Sequence, residues 1–195
     1  TALDKLAKVE SGAIPKVSKP SETGNPKPFG GKELKALDFG GEKNIEAKKI
    51  AEEFLGREMK EQEWNALVRA TVAEASPDSK EQVAVMAVIL NRANSSKYPD
   101  GIMGVLTQKN QFQAVTGTPA NRAPSRNFSR PTSKQIASVV DAVMNHLSNS
   151  NKTWLNFTAN NPKAYGAGTN IDFMYAMRQS PGAKVIGGTV FGNIA

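Results

Sequence analysis

Trp64-Asn65-Ala66-Leu67-Val68-Arg69-Ala70-Thr71-Val72-Ala73-Glu74-Ala75-Ser76-Pro77 runs directly into Asp78-Ser79-Lys80-Glu81-Gln82 and then eight apolar residues in a row, Val83 to Leu90. In the first segment Trp64, Leu67, Val68, Thr71, Val72 and Ala75 recur at helical spacing and form one apolar stripe. Pro77 disfavours a helical conformation at Ser76, so this helix is predicted over about 60–75, with Glu74 in its last turn. The apolar octet suits a buried strand as well as a helix. Asp78 and Glu81, three apart just ahead of it, read as an N-cap and its N3 partner, and Asn91-Arg92-Ala93 follow it. The spacing therefore predicts a helix of about 15 residues, buried nearly all round.

Outward from this pair, the chain is uneven. A helix is predicted from about Asn44 to Leu55, closed by Gly56. Residues 1–43 read as a flexible tail or linker: Pro15, Pro20, Pro26 and Pro28 recur among Lys, Ser, Thr and Gly, with little to bury, although Ala2 to Glu10 suits a short helix. Beyond the octet come a short helix-like Ile102 to Leu106 and a long polar loop over 107–131 carrying Arg122, Arg126 and Arg130. Thr132-x-x-Gln135 opens another helix by a capping-box pattern, with Ile136, Val139, Val140, Val143 and Leu147 as its apolar face. Trp154 to Thr158 is strand-like and is broken at Asn161-Pro162, while Val185 to Phe191 suggests a small hairpin around Gly187-Gly188. The expected class is mostly α with small β pieces, an α+β fold, with residues 44–195 as its one domain.

With 195 residues, 39% of them hydrophobic, the chain supports one real core. No run reaches the length of a membrane span, and no signal peptide is visible. Charge is distributed asymmetrically. Residues 1–63 hold 12 Lys/Arg and 12 Asp/Glu, whereas residues 64–195 hold 13 against 6 and so carry the whole net +7. A basic surface suits a polyanionic partner, and nucleic acid, anionic lipid and bacterial cell wall all qualify.

Elimination narrows the chemistry. The chain has no cysteine, which excludes thiol nucleophiles, thiolate metal sites and disulfides. His146 is the one histidine; it lies late in its helix with no serine elbow nearby, which leaves a Ser-His-acid triad without support. One His and no Cys do not make a zinc site, and six scattered acids after residue 63 do not cluster as a magnesium or calcium site would. No metal and no cofactor is expected. There is no P-loop and no GxGxxG. What survives is acid/base chemistry by a lone glutamate, or no catalysis.

Glu74 is the candidate. At about 100° per residue it falls at the edge of the apolar stripe, roughly 90° from its centre. Burial and the negative end of the helix dipole both push its pKa upward, as a general acid at neutral pH requires. The same position also suits a solvated boundary glutamate. The other five acids have local explanations: Asp78 and Glu81 as caps, Asp100 in the Tyr98-Pro99-Asp100-Gly101 turn, Asp141 on the polar back of its helix, and Asp172 in a short unassigned segment. Glycoside cleavage usually pairs an acid with a second carboxylate. If a hydroxyl of the substrate attacks instead, one glutamate serves first as acid and then as base.

Glu74-Ala75, then Glu81-Gln82 through Asn91-Arg92-Ala93, Tyr98-Pro99, Gly104-Val105-Leu106 and Gln111-Phe112 resemble the spore cortex-lytic and cell-wall hydrolase family. Leu155-Asn156-Phe157-Thr158, Asn161-Pro162 and Val185 to Phe191 follow in the same order, so the resemblance spans about 66–193. Ser76-Pro77 departs from the family's arginine-glycine, and the stretch from Glu74 to Gln82 is one residue shorter. The resemblance implies a lysozyme-like catalytic domain and lytic transglycosylase action on the β-1,4 bond between N-acetylmuramic acid and N-acetylglucosamine. It assigns the catalytic role to Glu74 and substrate contacts to Gln111, Phe112, Asn156 and Tyr165, although aromatics such as Phe112, Trp154, Phe157 and Tyr165 are more often core residues than sugar platforms.

The partner this implies is the peptidoglycan glycan strand, with no nucleic acid and no membrane span. The place of action it implies is the bacterial cell wall, in the periplasm or cell envelope. Bacteriophage particles also carry such enzymes, and the tail would then have a particle or envelope partner. The alternatives are a muramidase that uses water, a cross-link endopeptidase of the same wall, and a non-catalytic basic module that binds cell wall or nucleic acid.

Overall fold

The computed structural model describes residues 29, 34–37, 41–161, 163 and 170–194. Of the expected tail over 1–43, residues 1–28, 30–33 and 38–40 lie outside the described residues, as do Pro162 and Tyr165. The described chain forms α1 (Gly41–Leu55), α2 (Glu61–Glu74), α3 (Ser79–Ala93), α4 (Gly101–Thr107), α5 (Gln113–Thr116), α6 (Arg126–Ser129), α7 (Ser133–His146), a 3-10 turn at Leu147–Asn149, β1 (Asn156–Ala159), α8 (Asn170–Gln179), β2 (Lys184–Ile186) and β3 (Thr189–Gly192). The mostly helical class with a small sheet is therefore the observed one.

The apolar octet is helical, and α3 is the axis of the molecule. Asp78 caps it by accepting the Glu81 backbone N–H at 2.8 Å. Every residue from Glu81 to Arg92 is buried, and α1, α2, α4 and α7 pack around it. A helix surrounded by helices needs no polar face, which is why the run shows no amphipathic period. α2 begins where the Glu63 carboxylate accepts the Lys60 backbone N–H. α7 begins with the expected reciprocal pair, Thr132 N–H to Gln135 Oε1 at 2.9 Å and Gln135 N–H to Thr132 Oγ1 at 3.1 Å. Its buried face is the predicted Ile136, Val139, Val140 and Val143.

Two expectations change. The 107–131 loop is not irregular throughout: α5 and α6 are single turns pinned by buried Phe112, Val115 and Phe128. Some residues of the span expected as tail are also packed. Phe29 lies against Phe128 with ring centroids 4.9 Å apart, and Leu34 and Leu37 pack on the core. The carbonyl of Lys35 accepts from Asn65 Nδ2 at 2.9 Å and from Arg69 Nη2 at 2.8 Å. Arg69 is 5% exposed and also donates to Asn65 Oδ1 and to the carbonyls of Phe128 and Ser129. A buried guanidinium needs acceptors for its donors, and here three backbone carbonyls and one amide oxygen supply them.

The sheet is antiparallel in the order β1-β3-β2. β3 is central and wholly buried. One of its faces joins the main core through Phe191, which lies 5.7 Å from the Trp154 ring and 5.9 Å from the Phe157 ring. Val190 faces the other way, onto Met174 and Met177 of α8. Asp172, unassigned from sequence, lies in the first turn of α8.

Candidate active site

α2 ends at Glu74 because Ala75 turns extended, its N–H closing the last turn on the Thr71 carbonyl at 3.0 Å. That stop leaves the Glu74 side chain half-buried between α2 and α5. One carboxyl oxygen, Oε1, is buried with no hydrogen-bond partner among the described residues. Burial pushes the pKa up to about 7, and a backbone hydrogen bond from Ala114 pulls the other way. Glu74 is therefore a carboxylic acid that holds its proton to near neutrality and keeps one oxygen uncommitted. Such a group donates a proton to a bound oxygen and can take one back.

Ala114 reaches Glu74 because α5 is a single turn. Phe112 occupies its N-cap position and accepts from the N–H groups of Val115 and Thr116, and the N–H of Ser125 returns to the Ala114 carbonyl at 2.8 Å. Gln111 and Phe112 thus stand three and two residues from the backbone that touches Glu74. Gln111 is exposed, and its Oε1 accepts from Arg92 Nη1 at 3.2 Å. Phe112 is 1% exposed, 6.2 Å from the Phe157 ring and under the Arg92 guanidinium, so it is a buried support and presents no open face to a ligand. Asn156 is half-buried and opens β1, paired in register with Gly192.

Arg92 joins these pieces. Its Nε donates to the Leu155 carbonyl at 2.6 Å, beside Asn156, and its guanidinium also lies over the Tyr98 ring at 4.9 Å. One buried cation therefore holds the Gln111-Phe112 turn and the entrance to β1 together. Neither Arg92 nor Ala114 carries a role that is visible from the sequence alone. The signal for Arg92 was an arginine at the end of an otherwise apolar helix. Ala114 left no signal, because it acts through its backbone.

Glu81 also differs from its expected role. Its side chain does not return to the N-cap. It is 3% exposed and accepts four hydrogen bonds, from Ser76 N–H (3.1 Å), Ser76 Oγ (2.8 Å), Gly188 N–H (3.1 Å) and Thr189 Oγ1 (3.0 Å). Asp78 is the cap, as expected. Asp141 is exposed and paired with Lys43 at 3.5 Å. Among the described residues no three His, Cys, Asp or Glu side chains group together to hold a metal ion, and no helix is long and apolar enough to cross a membrane.

The sequence profile of the Cell Wall Hydrolase family matches residues 76–191, more than half of the chain. The chain belongs to the cell wall hydrolase family. The matched span covers Glu81, Arg92, Gln111, Phe112 and Asn156 and opens two residues past Glu74, so Glu74 stands on its own geometry. The chain is also similar to a spore cortex-lytic enzyme of Oceanobacillus iheyensis, 37% identical over 78 residues, which is 40% of this chain and 26% of that protein. The chain thus spans about a quarter of the length of the curated relative it matches. No solved structure matches it.

Proposed function

We propose that this protein degrades peptidoglycan by cleaving the β-1,4 bond between N-acetylmuramic acid and N-acetylglucosamine, as a lytic transglycosylase with Glu74 as its one catalytic group. The observation that carries the reading is the Glu74 carboxyl: protonated to about pH 7, with one buried oxygen free. Membership of the cell wall hydrolase family supplies the substrate class.

The steps balance without water. The Glu74 proton passes to the glycosidic oxygen, and the bond from that oxygen to the muramic C1 breaks, releasing the N-acetylglucosamine hydroxyl. The muramic acid's own 6-hydroxyl oxygen bonds to C1, and its proton returns to the Glu74 carboxylate. The product carries a 1,6-anhydro ring, and the enzyme ends in its starting state. A water-using enzyme needs a second carboxylate as nucleophile or base. Among the described acids of residues 64–195, Glu81 is occupied by four donors, Asp78 caps α3 and Asp141 pairs with Lys43, which leaves only the exposed Asp100 and Asp172 for a water-using reaction. Gln111 and Asn156 are the polar groups proposed to orient the strand, and residue 165 is proposed with them.

Mass analysis of muropeptides released from purified walls tests this. The expected products end in 1,6-anhydromuramic acid; reducing muramic ends would show hydrolysis, and freed peptide ends would show a cross-link endopeptidase. A protein that binds walls but releases nothing would be a binding module.

A further inference from the structure

Glu81 is a buried carboxylate that the proposed reaction does not use, and its placement is unusual. Glu74 ends α2, Ala75 turns extended, and the N–H of Ser76 therefore has no helical acceptor. Glu81 Oε1 supplies one at 3.1 Å, and Oε2 takes the Ser76 hydroxyl at 2.8 Å. The same two oxygens take Gly188 N–H and Thr189 Oγ1 from the β2–β3 turn, more than a hundred residues away in sequence. The turn comes this close because Gly187, at φ +58°, has no side chain: a Cβ there would collide with Glu81 Oε2. The backbone leaving Glu74 is thus tied to the sheet through one side chain.

The structure assigns Glu81 as a positioning residue for Glu74: by fixing Ser76 it sets where α2 stops, and so where the catalytic carboxyl sits between α2 and α5. This rests on the proposed role of Glu74. A purely structural cross-link would support the fold without affecting the reaction step, and the two roles separate experimentally. A displacement of about 1 Å of a catalytic group costs up to about 100-fold in rate without loss of substrate binding. A Glu74 loosened toward water would also fall back toward the ordinary carboxylate range.

The test measures kcat, KM and the pH–rate profile on purified walls for Glu81→Gln and Ser76→Ala, with Glu74→Gln as control. Glu81→Gln keeps the shape but turns an amide N–H₂ toward donors that include a backbone N–H. Ser76→Ala removes only the hydroxyl link. We expect kcat to fall about tenfold or more in Glu81→Gln and about threefold in Ser76→Ala, with KM nearly unchanged. We also expect the alkaline limb of the profile to move to lower pH in both. Parent-like kcat and limb in folded Glu81→Gln, with only a lower Tm, would overturn the inference. If Glu81→Gln does not fold, Ser76→Ala decides by the same two readouts. An active Glu74→Gln would instead overturn the catalytic reading. An inactive Glu74→Gln beside parent-like Glu81 and Ser76 variants would remove the positioning role alone.

Discussion

Glu74 closes α2 and Glu81 lies in the first turn of α3, seven residues later, yet the two carboxyls face opposite circumstances. Glu81 is the more deeply buried and has four donors, two on each oxygen. Glu74 is half-buried, has one backbone hydrogen bond, and leaves Oε1 with no partner among the described residues. Depth alone therefore does not mark a reactive acid. What separates the two is the supply of donors: four donors let Glu81 tie segments together, whereas Glu74, buried with few, retains its proton more tightly.

The largest effect should come from removing the acid. Glu74→Gln keeps the shape but has no proton to donate, and loss of wall turbidity should slow by at least about 100-fold. A variant retaining more than a few per cent of activity would end the comparison.

The second test reads stability against pH. Because the folded state holds the Glu74 proton more tightly than the unfolded chain does, the contribution of Glu74 to stability should be greatest at low pH and fall as pH rises from about 4.5 to about 7. Glu74→Gln should match wild type near pH 4 and exceed it at pH 8 by up to about 3 kcal/mol, less by whatever screening water gives a half-buried group. Activity should decline over the same upper range as the acid form is lost. Chemical denaturation at the two pH values checks the first part, and a pH–rate profile the second.

The opposite sign is expected at the other carboxylate. Glu81→Gln should destabilise the protein by about 1–3 kcal/mol, because the amide nitrogen leaves donors that Glu81 now satisfies without an acceptor. If both glutamine variants stabilise, or both destabilise, the distinction between the two sites fails.

The smallest effect should be that of salt. Lys109, Arg122, Arg126, Arg130 and Lys134 are exposed on the stretch that supplies Ala114, and no acid lies between Asp100 and Asp141. Raising ionic strength from low to physiological levels should weaken wall association a few-fold while leaving kcat unchanged, because exposed charges are screened and Glu74 is not. Binding indifferent to salt would detach this surface from the substrate.

Much of this was legible in the sequence where the signal was local. α3 follows from a cap three residues ahead of an apolar run, α7 from its capping box, and Glu74 from its place on a stripe that Pro77 cuts short. Glu81 was misread because the spacing from Asp78 is the same whether the side chain bends back to the cap or reaches outward. Its partners, Gly188 and Thr189, are brought to it only by the fold. Phe29 and Lys35 read as linker because isolated apolar residues among prolines carry no period, and Lys35 contributes a carbonyl that every residue type has. The two single turns in the 107–131 loop are too short for periodicity; buried Phe112, Val115 and Phe128 hold them in place.

Arg69 has a consequence for the conditions in which such a protein works. Its acceptors are the carbonyls of Lys35, Phe128 and Ser129 and the Asn65 amide oxygen, none of which titrates. Burial lowers its pKa, but a guanidinium keeps its charge throughout the range in which Glu74 changes state. Ion pairs between side chains lose a partner in acid and are weakened by brine; this joint between three distant segments does neither. The fold is thus fastened at this one point by contacts whose acceptors neither take up a proton nor carry a charge that salt can screen.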